Sequence, residues 1–280
     1  MNRLPKNYYD RRNEGDTILR KCQLVQLRLL HIVDKICKDN DIKYCLMSGT
    51  LLGALRHNGF IPWDDDLDLW MPSADYKKFA EVAPKCAPEG VYVQTSANTP
   101  QTAIPFMKVR DSNTFYYEPR LDIMTDEPSG IYIDIFKLER LPKINIKIWK
   151  CLVKCCASAW SRKIYFLNLA RKGLHIALWA VPVALICKIL YLLVRGFIDI
   201  WRYISPGQYY ASNFEGMFQR VYDGEDLFPF RTHVFEDGEF PVPNNSDAIL
   251  TRMYGKWRDI PPPDKRPHHA RVIDPFQSGK

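Results

Sequence analysis

"MSGTLLGALRHNGFIPWDDDLDLWMPSADYKKF", residues 47–79, carries four aspartates in five positions: Asp64, Asp65, Asp66 and Asp68. Ile61, Pro62 and Trp63 precede them, and Leu69, Trp70 and Met71 follow. Most acidic runs are solvated turns, but this one is pressed between apolar residues. Asp66 and Asp68 alternate with Leu67 and Leu69, so on a strand both carboxylates share one face and both leucines the other. Two like charges side by side at a sheet surface are destabilising unless a cation bridges them. Oxygen ligands of this kind favour magnesium or manganese. A calcium-binding EF-hand loop fails on spacing, because it needs glycine and glutamate at its sixth and twelfth positions. Counted from Asp64, those positions hold Leu69 and Asp75.

Upstream, "KYCLMSGT" (43–50) reads as a short apolar strand that stops at Ser48-Gly49-Thr50, a small-residue turn whose amides can approach phosphate oxygens closely. Leu51 to Arg56 then reads as a turn or short helix, closing near His57, Asn58 and Gly59. Downstream, "LDLWM" suits a buried strand, and Ser73 and Asp75 open a helix that runs through Phe79 toward Pro84 and Pro88. "VYVQT", "IPFMKVR" and "TFYYE" give three more strands, and "GIYIDIFKLE" (130–139) another that contains Asp134. A strand, a small-residue turn, D-x-D on a second strand and a third aspartate on a later one is the layout of the nucleotidyltransferase superfamily. There, three carboxylates hold divalent ions that neutralise phosphates and position an acceptor oxygen for in-line attack. A D-x-D pair alone would equally suit a glycosyltransferase using a nucleotide sugar; the Ser48-Gly49-Thr50 turn and Asp134 separate the two. A non-catalytic scaffold that keeps the fold is a third reading, weakened because none of the three carboxylates is missing.

"SGTLLGALRHNGFIPWDDDLDLWM" followed by "DYKKF" resembles the signature of the LicD family, whose members include bacterial phosphocholine transferases, with fukutin-type proteins as relatives. The resemblance continues through "KVRDSNTF" (108–115), "GIYIDIFKLE" and "MYGKWRDIPPPDKRPHH" (253–269), and covers most of residues 20–145 and 205–269. It implies an α/β (α+β) fold, a nucleotidyltransferase-like mixed sheet core with added helices. The implied reaction moves a phosphoalcohol from a CDP-activated donor, CDP-choline being the best known, to a hydroxyl of a cell-surface glycan such as lipopolysaccharide, teichoic acid or capsule. Asp66 and Asp68 match the metal-binding pair, and Asp134 matches the third carboxylate, which would bind metal and take the acceptor proton. Ser48, Gly49 and Thr50 match the phosphate-facing turn, and Arg56 and His57 the basic pair near the donor phosphates. Trp63, Asp64 and Asp65 support the loop from behind. Lys108 and Arg110 are read as phosphate contacts or plain surface charge. His268 and His269, otherwise an exposed tail, gain a phosphate-contacting reading. Trp63 and Trp70 flank the aspartates; an aromatic face can hold a trimethylammonium group, but tryptophans beside a buried strand usually pack.

The remaining sequence sets the frame for that site. With 280 residues, 46% hydrophobic and 25% charged, the chain has material for one large domain or two modest ones. Its net charge of +7 is unevenly spread. Between Arg140 and Asp199 there is no acidic residue, while ten cations lie there, from Lys143 to Arg195. These cations are interleaved with long aliphatic runs, so nucleic acid is a poor partner. Leu174 to Val194 has the length of a membrane span, interrupted by His175, Pro182 and Lys188. A span, a helix lying on an anionic leaflet and a soluble helical lid are the three readings. The expected organisation is a polar tail over 1–16, a catalytic core over 17–141, a basic apolar helical insertion over 142–203, and a part over 204–280 that completes the core. Residues 17–39 have helical spacing with Asp16 or Thr17 as cap, Asp237-Gly238 signals a hairpin, and "SDAILTRMYG" a short helix from a Ser246 or Asp247 cap. Eight cysteines without a CxxC pair, and a polar N-terminus without a secretory apolar core, point to buried thiols in a cytosolic setting; the basic apolar segment, together with the family resemblance, implies a peripheral place at the inner membrane face.

Overall fold

The computed structural model describes residues 3–95, 97–99, 106–117, 130–170, 173–212, 220–266 and 272–276. Strand β6 (Tyr132–Pro142) is buried at most of its positions, as a central strand covered on both faces must be. Beside it and parallel runs β2 (Asp68–Pro72), in a register that sets Asp68 opposite Asp134 and Leu69 opposite Ile135. The short β1 (Cys45–Leu46) closes antiparallel on the far edge of β2. The opposite edge of β6 is shared. β4 (Met107–Asp111) pairs with its first half, with β3 (Val91–Gln94) outside it, and β7 (Pro206–Ser212) pairs with its second half, followed by β8 (Val221–Asp223). The result is a seven-stranded mixed sheet. Parallel neighbours need a crossover rather than a tight turn, and the one joining β2 to β6 includes α3 (Ser73–Cys86) and the β3–β4 pair.

Helix α1 (Ile18–Asp39) begins where its spacing predicts, with the Thr17 hydroxyl accepting from the Arg20 amide at 3.1 Å. Its buried face holds Val25, Leu29, Ile32, Val33 and Ile36, but also Gln23, Gln26 and Arg28. Arg28 and Arg12 both reach the fully buried Asp111 at the end of β4, at 2.9 and 2.5 Å, which fastens the N-terminal segment and α1 to the sheet. One sequence expectation is corrected at the chain's second turn. Ser48-Gly49-Thr50 is the first turn of α2 (Ser48–His57), not a separate turn ahead of it. Small residues permit that close helix start, and Ser48 takes the left-handed φ of 49° to make it. Toward the C-terminus come α6 (Gly224–Leu227), then the hairpin of β9 (Arg231–Phe235) and β10 (Gly238–Val242), then α7 (Ser246–Tyr254), capped by Asn245. The hairpin loop is Glu236-Asp237, one residue earlier than its signal suggested, with Glu236 at φ 57°. Strand β11 (Val272–Asp274) returns to pair with β5 (Phe115–Tyr117).

The basic apolar segment folds as two helices packed on each other, α4 (Ile146–Ala170) and α5 (Leu174–Ile204). Trp149, Cys156 and Ile198 form a small core with Leu141 of β6 and Ala211 of β7. At the same junction Glu139 is buried among Lys137, Arg195 and Arg202. Arg195 donates through both terminal nitrogens, and Arg202 from 3.2 Å. All eight cysteines are free thiols; six are buried as expected, whereas Cys151 and Cys155 are exposed on α4.

Burial alone would raise the Glu139 pKa, but the Arg195 hydrogen bond and the charges of Lys137, Arg195 and Arg202 pull it down to about 2. A carboxyl whose pKa is lower folded than unfolded contributes stability above the ordinary glutamate range, and that contribution is lost as pH falls toward the folded value. Glu139→Gln is therefore expected to lower stability at pH 7 by about 3–5 kcal/mol. Urea denaturation at a series of pH values should show the gap to wild type narrowing steadily from the ordinary glutamate pKa down to about 2.

Candidate active site

The register of β2 against β6 brings Asp68 beside Asp134 on neighbouring strands, about 4.8 Å apart along the backbone. Thr50 fixes the start of β2, its hydroxyl accepting from the Asp68 amide at 2.8 Å. The irregular segment leading into β2 is held from below by α1. Gln23 donates to the carbonyls of Ile61 (3.3 Å) and Asp64 (3.0 Å), and Gln26 to those of Asp65 (2.7 Å) and Tyr132 (3.3 Å). Buried carbonyls outside regular structure need such partners, and these two side-chain amides supply them. Within the run the aspartates diverge. Asp65 is buried and accepts from the Tyr116 hydroxyl at 3.3 Å. Asp64 and Asp66 turn toward Gly49, where an added Cβ would stand 2.7 Å from Asp64 Oδ2 and 3.9 Å from Asp66 Oδ1. Asp64 thus joins the wall of the pocket rather than standing behind it.

Charge crowding is the dominant feature. The Asp68 pKa is held well above the usual carboxylate range, first by burial and then by the charges of Asp66, Asp134 and Asp64, with Lys108 opposing. Asp134 is also raised, by burial and Asp66 against the pull of Lys108 and Arg110. Lys108 Nζ lies 2.9 Å from Asp134 Oδ1, but obliquely, so that this buried oxygen accepts no well-formed hydrogen bond. Lys108 is only 1% exposed and Arg110 only 4%, which removes the surface-charge reading of both. The Lys108 ammonium sits 3.2 Å from the Tyr132 ring centroid, and Arg110 donates to Gln94 Oε1 (2.7 Å) and the Gly130 carbonyl (3.2 Å).

Above the carboxylates opens a pocket of about 580 Å³, with Ser48, Gly49, Asp64, Asp66 and Asp68 in its floor and Arg56, Trp63, Arg220, Tyr254, Lys256 and Trp257 in its walls. Arg56 donates to the Trp257 carbonyl (2.9 Å) and to His57 Nε2 (3.0 Å). Burial and the Arg56 charge lower the His57 pKa, keeping that acceptor neutral. Trp63 is covered by the Arg266 guanidinium at 4.0 Å from its ring. Trp70 is wholly buried and donates to Ser212 Oγ at 3.0 Å. His268 and His269 lie outside the described residues. Sequence reasoning missed Tyr254, which lines the same pocket and whose hydroxyl is kept protonated by desolvation and by the charges of Asp68, Asp66 and Asp64. It also missed Arg220, Lys256, Gln23 and Gln26. "MYGKW" offered Tyr254 and Lys256, but no spacing rule connects them to aspartates nearly two hundred positions away. Among the described residues, Asp66 and Asp68 line this pocket and Asp134 does not; a larger cavity, of about 820 Å³ beside residues 228–232, is lined by none of the three.

The donor set of carboxylate oxygens suits a hard divalent ion. Among the described residues, no three such side chains are arranged to hold an ion as they stand, and Asp134 is ion-paired to Lys108 at 2.9 Å.

Residues 41–146, which contain α2, β2 and β6, match the family model described as LicD/FKTN/FKRP, nucleotidyltransferase domain. Over 268 residues the chain is 29% identical to the lipopolysaccharide cholinephosphotransferase LicD of Haemophilus influenzae, covering 90% of this chain and 96% of that protein. Shorter stretches are 41% identical to uncharacterised proteins of Rickettsia typhi (68 residues, 24% of this chain and 22% of that protein) and Rickettsia prowazekii (58 residues, 21% and 22%). The resemblance read from the sequence holds: the LicD family model matches residues 41–146, and the similarity to the Haemophilus influenzae protein extends over nearly the whole chain.

Two glycines of α2 should respond differently to alanine. At Gly53 the new Cβ would meet the Gly59 carbonyl oxygen at 2.4 Å, a backbone atom that cannot step aside. At Gly49 it meets only the end of the Asp64 side chain. Thermal denaturation should find Gly53→Ala destabilised by about 1–3 kcal/mol, and Gly49→Ala within about 1 kcal/mol of wild type.

Proposed function

We propose that this protein is a LicD-type phosphotransferase that moves phosphocholine, or a similar phosphoalcohol, from a CDP-activated donor to a hydroxyl of a cell-surface glycan such as lipopolysaccharide. In this reading residues 17–141 and 204–280 form one nucleotidyltransferase-like catalytic unit working on the cytoplasmic side. The observation that carries it is the alignment of Asp68 with Asp134 on adjacent parallel strands, within the residues that match the LicD family model, with Asp66 and Asp68 lining a cation-walled pocket. The name of the similar Haemophilus influenzae protein supports choline and a lipopolysaccharide acceptor.

Asp66, Asp68 and Asp134 would hold magnesium or manganese, and the bound ion would supply neutralisation of the donor phosphates. Every other task falls to the chain's own residues. The amides at the start of α2, including Gly49, and the cations Arg56, Arg220 and Lys256 receive the pyrophosphate. The acceptor oxygen attacks the phosphorus that bears the alcohol, the bond from that phosphorus to the bridging oxygen breaks, and CMP leaves with the bridging oxygen. The acceptor's proton passes to Asp134, whose raised pKa suits a general base. Lys108 holds that carboxylate in place during the transfer.

The test is CMP release from CDP-choline by purified protein with magnesium or manganese, a membrane fraction supplying acceptors. Wild type should release CMP in a metal-dependent way, and Asp68→Asn should lower the rate by more than about 100-fold. Release from CDP-ribitol or CDP-glycerol alone would keep the chemistry and replace choline. A folded, metal-binding wild type that is silent with every CDP-alcohol would overturn the reading, and turnover of a nucleotide sugar would install the glycosyltransferase in its place.

A further inference from the structure

Helix α5 presents an unusual surface. One stripe, Ala180, Ala184, Cys187, Tyr191, Val194 and Ile198, is turned inward. The other faces are also apolar and stand in solvent: Leu178 is 73% exposed and Leu193 65%, with Leu185, Ile186, Phe197 and Ile200 between and beyond them. Continuous apolar exposure on this scale marks an interaction surface.

Three observations say what covers it. The first is charge. Lys147, Lys150, Lys154 and Arg162 are exposed on α4, and the sequence offers no acidic residue between Arg140 and Asp199. A second copy of this hairpin would bring like charges together, whereas an anionic surface would complement them. The second is arrangement. A groove of about 450 Å³ runs between the helices, with Lys154 and Arg162 beside Cys155, Leu190 and Val194. Cations and apolar side chains therefore line one groove of the hairpin together, the pairing that a phosphate headgroup with its acyl chain would complement. The third is the cost of spanning. Helix α4 carries cations along its length and α5 carries Lys188 near its middle. Each costs about 2.5–3.5 kcal/mol or more at a bilayer centre.

We propose that the α4–α5 hairpin docks flat on an anionic lipid leaflet, the apolar face of α5 entering the acyl boundary and Lys154 and Arg162 contacting headgroup phosphates. Glu139, with Arg195 and Arg202, ties the docked hairpin rigidly to β6, the strand that carries Asp134. The docking is independent of the chemistry at the carboxylates, and CMP release plays no part in its test.

Flotation of the full chain with vesicles of phosphatidylcholine alone, or with added phosphatidylglycerol, tests it. Binding to the anionic vesicles should be at least about tenfold tighter, fall with added salt, and be reversed by an alkaline carbonate wash. Leu185→Glu with Leu193→Glu should weaken it about tenfold or more, and Lys154→Glu with Arg162→Glu should remove the preference for anionic lipid. These are surface positions, so circular dichroism should find both variants folded. Failure of folded wild type to float with anionic vesicles would overturn the proposal. So would equal flotation with neutral ones, resistance to carbonate, or a stable dimer in solution that Leu185→Glu dissociates.

Discussion

Two carboxylates placed side by side on adjacent parallel strands are the constraint on which the rest of this structure depends. Asp68 and Asp134 are fixed by register, not by side-chain choice, because β2 and β6 pair residue for residue through five positions. Their mutual repulsion and burial disfavour the charged forms. The fold tolerates this by surrounding the pair with a fixed support. Thr50 pins one end of β2, Gln23 and Gln26 hold the loop before it, and Lys108 leans on Asp134 from β4. Lys108 offsets only part of the cluster's charge, since both carboxyls remain raised in pKa, which leaves a site suited to a further cation.

Lys108 shows how position decides role. In a strand read from sequence it looks like a cation available to a ligand, yet the sheet buries it against Tyr132 and opposite Asp134. The cations that do face the pocket come from elsewhere: Arg56 from α2, and Arg220 and Lys256 from the C-terminal part. Arg266 takes a face of Trp63, the kind of aromatic face that can receive a quaternary ammonium group. Any recognition of choline at this tryptophan would first require that guanidinium to move.

Much of this was legible in the sequence, and for identifiable reasons. Alternation of Asp66 and Asp68 with Leu67 and Leu69 is a local pattern, and the structure has both leucines buried and both aspartates half-exposed. Amphipathic α1, the hairpin near Gly238 and the helix ending at Gly255 follow equally local rules. What escaped was non-local. Gln23 and Gln26 look like polar interruptions of an apolar face until the loop they serve is folded beneath them. Tyr254 joins Ser48 in one pocket across about two hundred residues, and β7 and the short β8 and β11 owe their existence to partners rather than to their own composition. The Ser48-Gly49-Thr50 segment was misread as a turn because small residues suit both a turn and a tightly packed helix start.

The central claim is that Asp66, Asp68 and Asp134 form one divalent-metal site, and calorimetric titration of manganese into the purified protein tests it most directly. The account predicts saturable binding to wild type, lost in Asp68→Asn and in Asp134→Asn, with thermal stability raised by manganese in wild type alone. Folded wild type that binds no manganese, or binding that survives both substitutions unchanged, would contradict it.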